Sequence, residues 1–342
     1  MNLNRAQKLS LVSSEGGVGK STWAINGACA LADMGLNVLC IDLDPQGSLS
    51  KFFCTPQALR QGPGLVEFVT QSDVSAIRST AFPRISLIAN NDDGETLNQW
   101  MREEFSASFA LKTMLARVEG DFDIIVIDTQ GKDGRGQLQE MALVASDIVI
   151  VPTTPDLIST QELPRSINIY SNVVRGLAAM GFTDQPPLLR ILINREDHTI
   201  ETRSAVAAIR KNFGAIARHI AVLRTAIPQR VVWKQCISQH QPAHRLETAR
   251  HDPRSAVSVM EAVIHELLPH YADLRLDGGK AALSAANGSG KDDGERMASS
   301  DAATAASPDM AQATDVPHSS APTATANPTE TGTIAQGGCH DQ

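Results

Sequence analysis

The fold of this chain is decided by the stretch Ser13-Ser14-Glu15-Gly16-Gly17-Val18-Gly19-Lys20-Ser21-Thr22. It lies between an apolar run that ends at Val12 and a helical pattern over residues 22–34. Glycines let successive backbone N–H groups turn inward without a Cβ clash, and the positive end of the following helix points at the same spot. Lys20 can reach terminal phosphates, and the Ser21 hydroxyl can bind Mg²⁺. The order of strand, glycine-rich turn and helix therefore predicts a phosphate-binding loop, with contacts from Gly16, Gly17, Val18, Gly19, Lys20, Ser21 and Thr22.

The composition indicates a cytoplasmic protein without a disulfide framework. The 342 residues carry a formal net charge of −8 and are 42% hydrophobic but 4% aromatic, so the core must consist mainly of Val, Ile, Leu and Ala. No apolar run approaches the length of a membrane span, and no signal peptide is recognisable. The five cysteines form no C-x-x-C pair, which is typical of reduced thiols: Cys29, Cys40, Cys54, Cys236 and Cys339.

Short apolar runs alternate with helical patterns, which predicts a doubly wound α/β fold with a mainly parallel sheet flanked by helices. Most runs are continuously apolar, as in strands buried on both faces. Strands are predicted at residues 8–13, 37–42, 85–89, 122–128, 147–151 and 188–194, with 220–223 as a further candidate. Helices are predicted at residues 22–34, 64–68, 106–118, 137–144, 159–180, 200–213 and 253–268.

The C-terminal part of the chain has a different character. From Gly278 onward there are three Lys/Arg against eight Asp/Glu, a net charge of −5, and no aromatic residue. Such a segment cannot bury enough apolar area to offset its ordering entropy. The sequence therefore predicts one folded domain over residues 1–277 and a disordered acidic tail over residues 278–342, with a docking segment for a partner as the alternative interpretation of the tail.

Two more predicted strands end in carboxylates. Asp42 ends the second strand, and Asp44 follows in Ile41-Asp42-Leu43-Asp44-Pro45-Gln46-Gly47. Taken alone, this run is equally consistent with an acidic turn. The strand over residues 122–128 ends in Asp128, where a carboxylate beside the phosphate loop can hold Mg²⁺ through a water, although a strand-terminal Asp is often only a helix cap. Ligands of such sheets bind beyond the carboxyl ends of the strands, which is where these carboxylates fall.

Taken together, the motifs resemble the ParA/MinD family of ATPases, whose deviant P-loop reads Lys-Gly-Gly-x-Gly-Lys-[Ser/Thr]. Ser14 stands where the strict P-loop pattern has glycine. Residues 42–47 are similar to the family's Asp-x-Asp-Pro-Gln-Gly segment, and residues 145–152 to its Ala-Asp-x-Val-Ile-x-Pro strand. The segments around Asn194 and Pro228 are similar to those that contact adenine. The resemblance covers roughly residues 8–268.

The resemblance implies a partition ATPase that uses ATP and Mg²⁺ and occupies residues 1–277. ATP would join two copies into a homodimer that binds DNA without sequence preference. A centromere-binding, ParB-like partner would stimulate hydrolysis, and cycling would move plasmid or chromosome cargo over the bacterial nucleoid. The implied site residues are Lys20, Asp44 and Asp128 for catalysis, Ser21, Asp42 and Asp128 for Mg²⁺, and Asn194 and Pro228 for adenine, with Asp44 orienting the attacking water.

Glu15 departs from the family pattern, which has at this position a lysine that touches the partner's phosphates. A carboxylate reverses the sign of the charge there and would be repelled by phosphate. Lys132 and Arg135 follow the Asp128 strand and are candidates for a substitute cation, although both are equally consistent with solvated loop charges. Glu15 also favours an alternative function, a hydrolysis-poor ATP-binding scaffold or regulator of a mobile element that acts through partner binding.

Basic residues are frequent between positions 190 and 254. Non-specific DNA binding is mostly phosphate neutralisation, so this bias predicts DNA binding, with a solvated face of mixed charge as the alternative because acidic residues are interspersed. The pattern over residues 253–268 lacks a basic amphipathic face, so no membrane attachment is expected. The DNA-binding candidates are Arg203, Arg218, Arg224, Arg230, Lys234 and Arg245.

Overall fold

The phosphate-loop motif lies at the centre of an eight-stranded sheet in the computed structural model. The structure describes residues 5–92, 95–104, 106–131, 137–182, 185–214 and 216–276. The strands are β1 (Gln7–Leu11), β2 (Val38–Leu43), β3 (Ile77–Ser79), β4 (Ile85–Ile88), β5 (Ile124–Thr129), β6 (Ile148–Thr153), β7 (Leu188–Ile193) and β8 (Ile220–Val222). The helices are α1 (Lys20–Asp33), α2 (Ser48–Phe53), α3 (Pro56–Leu59), α4 (Leu65–Thr70), α5 (Thr96–Glu103), α6 (Ala107–Val118), α7 (Gln137–Ala145), α8 (Leu157–Ala179), α9 (Ile200–Phe213), α10 (Val232–Ser238), α11 (Ala243–Leu246) and α12 (Ala256–Leu267).

The strand order β3-β4-β2-β5-β1-β6-β7-β8 confirms the predicted doubly wound, mainly parallel sheet. Every neighbouring pair is parallel except β3 and β4 at one edge. In the register of the sheet, Asp128 on β5 pairs with Leu11 on β1 and with Asp42 on β2. The three motifs therefore meet at one edge of the sheet, because the carboxyl ends of parallel neighbours lie side by side.

Burial on both faces of the sheet explains why the strand sequences are continuously apolar. Every residue of β2, β5 and β6 is buried, since helices cover both faces of the sheet. One face packs against α1 and α12, and the other against α4 to α7, while β6, β7 and β8 pack against α8 and α9. None of the described helices is long and apolar enough to cross a membrane.

The observed elements differ from the predicted ones mainly in the short helices. All seven predicted strands are present, but the antiparallel strand β3 was not predicted, and neither were α2, α3, α5, α10 and α11. These elements have three to eight residues, too few for a pattern of period 2 or 3.6 to emerge. Capping moves two boundaries: α8 begins at Leu157 after Asp156, and α12 at Ala256 after Ser255. The boundary predicted at residue 277 and the tail lie outside the described residues.

A buried polar contact fixes the far end of α1 against α11. The Asp33 carboxylate accepts hydrogen bonds from His244 Nε2 at 2.8 Å, from Arg245 Nε at 2.8 Å and from a second Arg245 nitrogen at 2.6 Å. These bonds hold the pKa of Asp33 below its usual value against the opposing effect of burial. At the middle of α1, the Asn26 side chain accepts the backbone N–H of Ala243 at 2.7 Å. Helix α1 is therefore attached to α11 at two levels.

Removing the Asp33 carboxylate should destabilise the fold. An Asp33→Ala variant leaves buried His244 and partly buried Arg245 without their acceptor, so the free energy of unfolding should fall by about 2–4 kcal/mol, the range expected when one partner of a buried pair is lost. Urea denaturation measures the free energy of unfolding. The control is Asp273→Ala, which removes an exposed carboxylate. A loss equal to that of the control would show that this contact does not hold α11.

Candidate nucleotide site

The backbone of the phosphate loop needs glycine at two positions. Gly17 and Gly19 have φ angles of +79° and +96°, in the left-handed region that disfavours other residues. Gly19 is also the residue before α1, so the helix begins at Lys20, two residues earlier than predicted. A Cβ at Gly19 would collide with the side-chain amide of Asn194. The loop thus presents its amides at the positive end of α1, as an anion-binding loop requires.

Ser14, which stands in place of the first glycine of the strict pattern, fastens the loop to α8. Its backbone N–H donates to the Ser166 hydroxyl at 2.9 Å, and the two hydroxyls lie 3.0 Å apart. The Ser14 hydroxyl also donates to the carbonyl of Glu162 at 3.2 Å. A glycine could not make the side-chain contacts. The departure from the strict pattern therefore has a structural use, which the sequence alone did not indicate.

Lys20 lies buried across the loop. Its Nζ donates to the Glu15 carbonyl at 2.8 Å, and a Cβ at Gly131 would come within 2.9 Å of the same nitrogen. Burial lowers the pKa of Lys20, while the charges of Asp128, Asp44 and Glu15 act in the opposite direction. The ammonium group is therefore held among carboxylates inside the loop, where it can pair with the oxygens of an incoming phosphate.

Asp128 is a fully buried carboxylate, and neither of its oxygens finds a hydrogen-bond partner with good geometry among the described residues. Burial raises the pKa of Asp128 well above its usual value, and the neighbouring charge of Asp42 adds to this, while the nearby Ser21 hydroxyl and Lys20 oppose it. A buried carboxylate without a partner is costly unless a cation is supplied. Asp128 and Ser21 therefore fit a Mg²⁺ ion, which in nucleotide sites takes one or two protein ligands plus phosphate oxygens.

Asp42 and Asp44 are held by backbone amides of the turn after β2 and of helix α2. Asp42 accepts the N–H of Asp44 at 3.2 Å and that of Ser50 at 2.7 Å, and burial raises its pKa to about 6. Asp44 accepts the N–H of Gln46 at 2.9 Å. Both oxygens of Asp42 are thus engaged in shaping the turn, which favours a supporting role beside Asp128. The metal role of Asp42 and the water-orienting role of Asp44 stay predictions.

Gln139 on α7 is a site residue that the sequence did not reveal. Its buried side-chain amide donates to the carbonyl of Gln130 at 2.7 Å and to that of Ser13 at 3.3 Å. It therefore links the start of the phosphate loop to the segment that follows Asp128. No local motif marks Gln139, because its two partners are nine and 126 residues away along the chain.

A cavity of about 530 Å³ opens beside the loop and is lined by Gly19, Thr22, Trp23 and Trp233 among others. Asn194, predicted to read adenine, borders this cavity but donates to the carbonyl of Val18 at 2.7 Å. Pro228 does not itself line the cavity, but its neighbours Ile227 and Gln229 do. Its carbonyl accepts the indole N–H of Trp233, another lining residue, at 2.9 Å. The structure thus brings both segments to the loop, and their contacts with adenine stay predictions.

The predicted cations divide into two groups. Lys132 and Arg135, the candidates for replacing the charge missing at Glu15, lie outside the described residues. Among the DNA-binding candidates, Arg245 is held by Asp33, and Arg230 is paired with Glu247 and, at 3.0 Å, with Asp252. Those two side chains have acidic partners in the fold, and their contacts with DNA stay predictions. The exposed candidates are Arg203, Arg218, Arg224 and Lys234.

Comparison with known proteins identifies the relatives of this fold. A family profile described as an AAA domain matches residues 6–178, about half of the chain. The chromosome-partitioning ATPase Soj of Treponema pallidum is 29% identical over 177 residues, covering 49% of this chain and 65% of that protein. A Rhizobium rhizogenes protein named provisionally as replication protein A is 27% identical over 235 residues, covering 64% of this chain and 58% of that protein. The chain thus spans less than two thirds of the length of each of these two relatives.

A solved structure shows the same fold. A variant of McdA from Cyanothece in complex with ATP superposes with a TM-score of 0.63 at 22% identity, covering 77% of this chain and 97% of that chain. At this identity the likeness establishes the architecture and leaves individual residue roles to the local geometry.

Neutralising Asp128 should stabilise the protein. In Asp128→Asn the cost of a buried, unpaired charge disappears, so the melting temperature at pH 7.5 should rise by about 2–4 °C, which corresponds to about 1 kcal/mol in a domain of this size. Because the pKa of Asp128 is raised in the folded state, the gain should shrink as the pH falls and vanish below about 3, where the carboxyl is protonated in the unfolded state as well. Differential scanning calorimetry checks this, with exposed Asp121→Asn as the control. A lower melting temperature would mean that Asp128 has an internal partner.

Proposed function

The chain belongs to the AAA-domain family and is a ParA/MinD-type P-loop ATPase, and from this premise we propose that it is a partition ATPase driven by Mg-ATP. One observation carries the proposal. The phosphate loop, Lys20, the Ser21 hydroxyl and the unpaired Asp128 carboxylate meet at the carboxyl ends of neighbouring strands. That arrangement offers a triphosphate its amides and ammonium group and offers a divalent cation its oxygen ligands.

The roles of the side chains follow from their surroundings. Lys20 and the loop amides would hold the phosphates, and Ser21 and Asp128 would hold Mg²⁺, with Asp42 supporting the turn beside them. Bound Mg²⁺ would supply positive charge to the phosphate oxygens. Asp44, nearly buried and fixed by the N–H of Gln46, would orient the attacking water. The chain's contribution to the chemistry is therefore positioning and charge compensation.

The same proposal extends to partners. ATP would join two copies into a homodimer that binds DNA without sequence preference in the cytoplasm, over the nucleoid, and a ParB-like adaptor would stimulate turnover. The support is the similarity to a chromosome-partitioning ATPase, together with basic side chains that remain exposed on and near α9 and α10. Cargo could differ within the family, since a further relative is named as maintaining carboxysome distribution.

Glu15 favours the second candidate function, an ATP-binding scaffold or regulator that hydrolyses slowly. Three carboxylates lie close enough to Lys20 for their charges to raise its pKa against the effect of burial, those of Asp128, Asp44 and Glu15. A further negative charge at position 15 repels phosphate. The two functions differ in turnover, whereas both require Mg-ATP binding.

Turnover separates the two functions and tests the site. Lys20→Ala should lower Mg-ATP hydrolysis by at least about 100-fold, because a buried cation facing the phosphates is lost, while the exposed Lys112→Ala control should be unchanged. Glu15→Lys should raise turnover by removing a repulsive charge. Phosphate release is measured with and without DNA. Parent protein that binds Mg-ATP but never exceeds background turnover would establish the scaffold, and an unaffected Lys20→Ala would refute the site.

DNA binding should depend on the exposed arginines. The slope of log affinity against log salt is negative, and Arg218→Ala and Arg224→Ala should each make it shallower by about 0.9. The reason is that binding with one phosphate contact fewer releases one counterion fewer. Fluorescence anisotropy with duplexes of two unrelated sequences, at saturating Mg-ATP, gives the slopes. Arg117→Ala on α6, which removes an exposed arginine that is not among the DNA-binding candidates, should leave the slope unchanged. Affinity that is insensitive to salt would refute phosphate-based binding.

A further inference from the structure

The segment that follows Asp128 lies directly on the phosphate loop. A Cβ added at Gly131 would come within 2.9 Å of Lys20 Nζ and within 3.0 Å of both the Glu15 carbonyl oxygen and Gly16 Cα. Any side chain there would therefore force the segment or the loop to move. In a phosphate loop the lysine extends toward the outer phosphates of the nucleotide. Gly131 thus flanks the place where those phosphates would lie.

The side chain of Gln139 connects this segment to the start of the loop. Its Nε2 donates to the Gln130 carbonyl at 2.7 Å and to the Ser13 carbonyl at 3.3 Å, a contact that we call the amide bridge. Carbonyl oxygens only accept hydrogen bonds, so the nitrogen of the side-chain amide must face both of them, and its two N–H groups provide one bond to each. Because Gln139 is 7% exposed, water has little access to replace these bonds.

The two ends of the amide bridge differ in how the rest of the fold holds them. Strand β5 ends at Thr129, so Gln130 and Gly131 lie beyond the last residue that the sheet pairs. The start of the loop, in contrast, is fixed to α8, because the Ser14 N–H donates to the Ser166 hydroxyl at 2.9 Å. The amide bridge therefore attaches a segment that has left the sheet to a part of the loop that is already held.

We infer that Gln139 is a positioning residue that favours a nucleoside triphosphate over a diphosphate. The amide bridge keeps Gly131 against Lys20, so one side of the site for the outermost phosphate is in place before the nucleotide binds. A preformed contact surface avoids the cost of ordering that surface during binding. The loop amides hold the inner phosphates, so the benefit falls on the outermost one. The inference rests on the proposed nucleotide function and adds to it a residue that acts through the backbone of its neighbours.

The first test removes the donors of the amide bridge. Gln139→Met keeps the length of the side chain, and it should weaken binding of Mg-AMP-PNP, a non-hydrolysable triphosphate, by about threefold to tenfold while Mg-ADP binding changes by less than about twofold. Gln139→Asn, which is too short to span both carbonyls, should show the same selective loss. Isothermal titration calorimetry gives the affinities. The control is Gln99→Met, which removes an exposed amide bonded to Glu103. Equal losses for the two nucleotides, as a purely structural role predicts, or no loss for either, would overturn the inference.

The second test asks whether Gln139 acts through the segment that it holds. The Cβ of Gly131→Ala pushes that segment off the loop, so Mg-AMP-PNP binding should again weaken more than Mg-ADP binding. In this background Gln139→Asn should weaken Mg-AMP-PNP binding by less than about twofold, because the amide bridge then holds a segment that is already displaced. Losses that multiply in the double variant would overturn the inference. Failure of the parent chain to bind both Mg-AMP-PNP and Mg-ADP would instead overturn the proposed function, and the inference with it.

Discussion

The site depends on the burial of the Asp128 carboxylate beside the phosphate loop. Its backbone is fixed by β5 between β1 and β2, so it cannot turn to solvent without breaking the centre of the sheet. Neither oxygen is paired within the described part of the chain, and burial holds its pKa high. The sheet therefore maintains a negative charge that is stable only when a cation faces it. Lys20 partly meets this need, and the proposed Mg²⁺ ion would meet the rest.

The charge balance makes the phosphate loop of this chain unusual for a site that binds a triphosphate. Lys20 donates to the carbonyl of Glu15, so the backbone of this acidic residue holds the lysine in place. Backbone contacts do not depend on the side chain, so this one tolerates the carboxylate. The side chain adds negative charge where phosphate would enter.

The sequence was sufficient to predict the features that depend on a local motif or on the alignment of parallel strands. Gly17, Gly19 and Lys20 lie within one short motif, and the meeting of Asp42 with Asp128 follows from the alignment of strand ends. Contacts between distant segments were not predictable: Ser14 reaches Ser166 across 152 positions, and Gln139 reaches Ser13 across 126. Composition also could not reveal that Arg230 and Arg245, two of the DNA-binding candidates, each have an acidic partner in the fold. Asn194 likewise reached the expected place with an unexpected partner.

Helix α1 carries Lys20 and Ser21, the residues proposed to contact phosphate and Mg²⁺, within its first turn, yet it is poorly suited to transmit a change. Most of its residues are buried, and Asn26 and Asp33 attach it to α11. A ligand shifts only elements that have two arrangements of similar free energy, which a helix packed on all sides lacks. Two other contacts connect the site to neighbouring helices. Gln139 connects it to α7, and Ser14 connects it to α8. Helix α8, which Ser14 contacts at Glu162 and Ser166, begins with the apolar residues Leu157 and Ile158, which are 73% and 68% exposed.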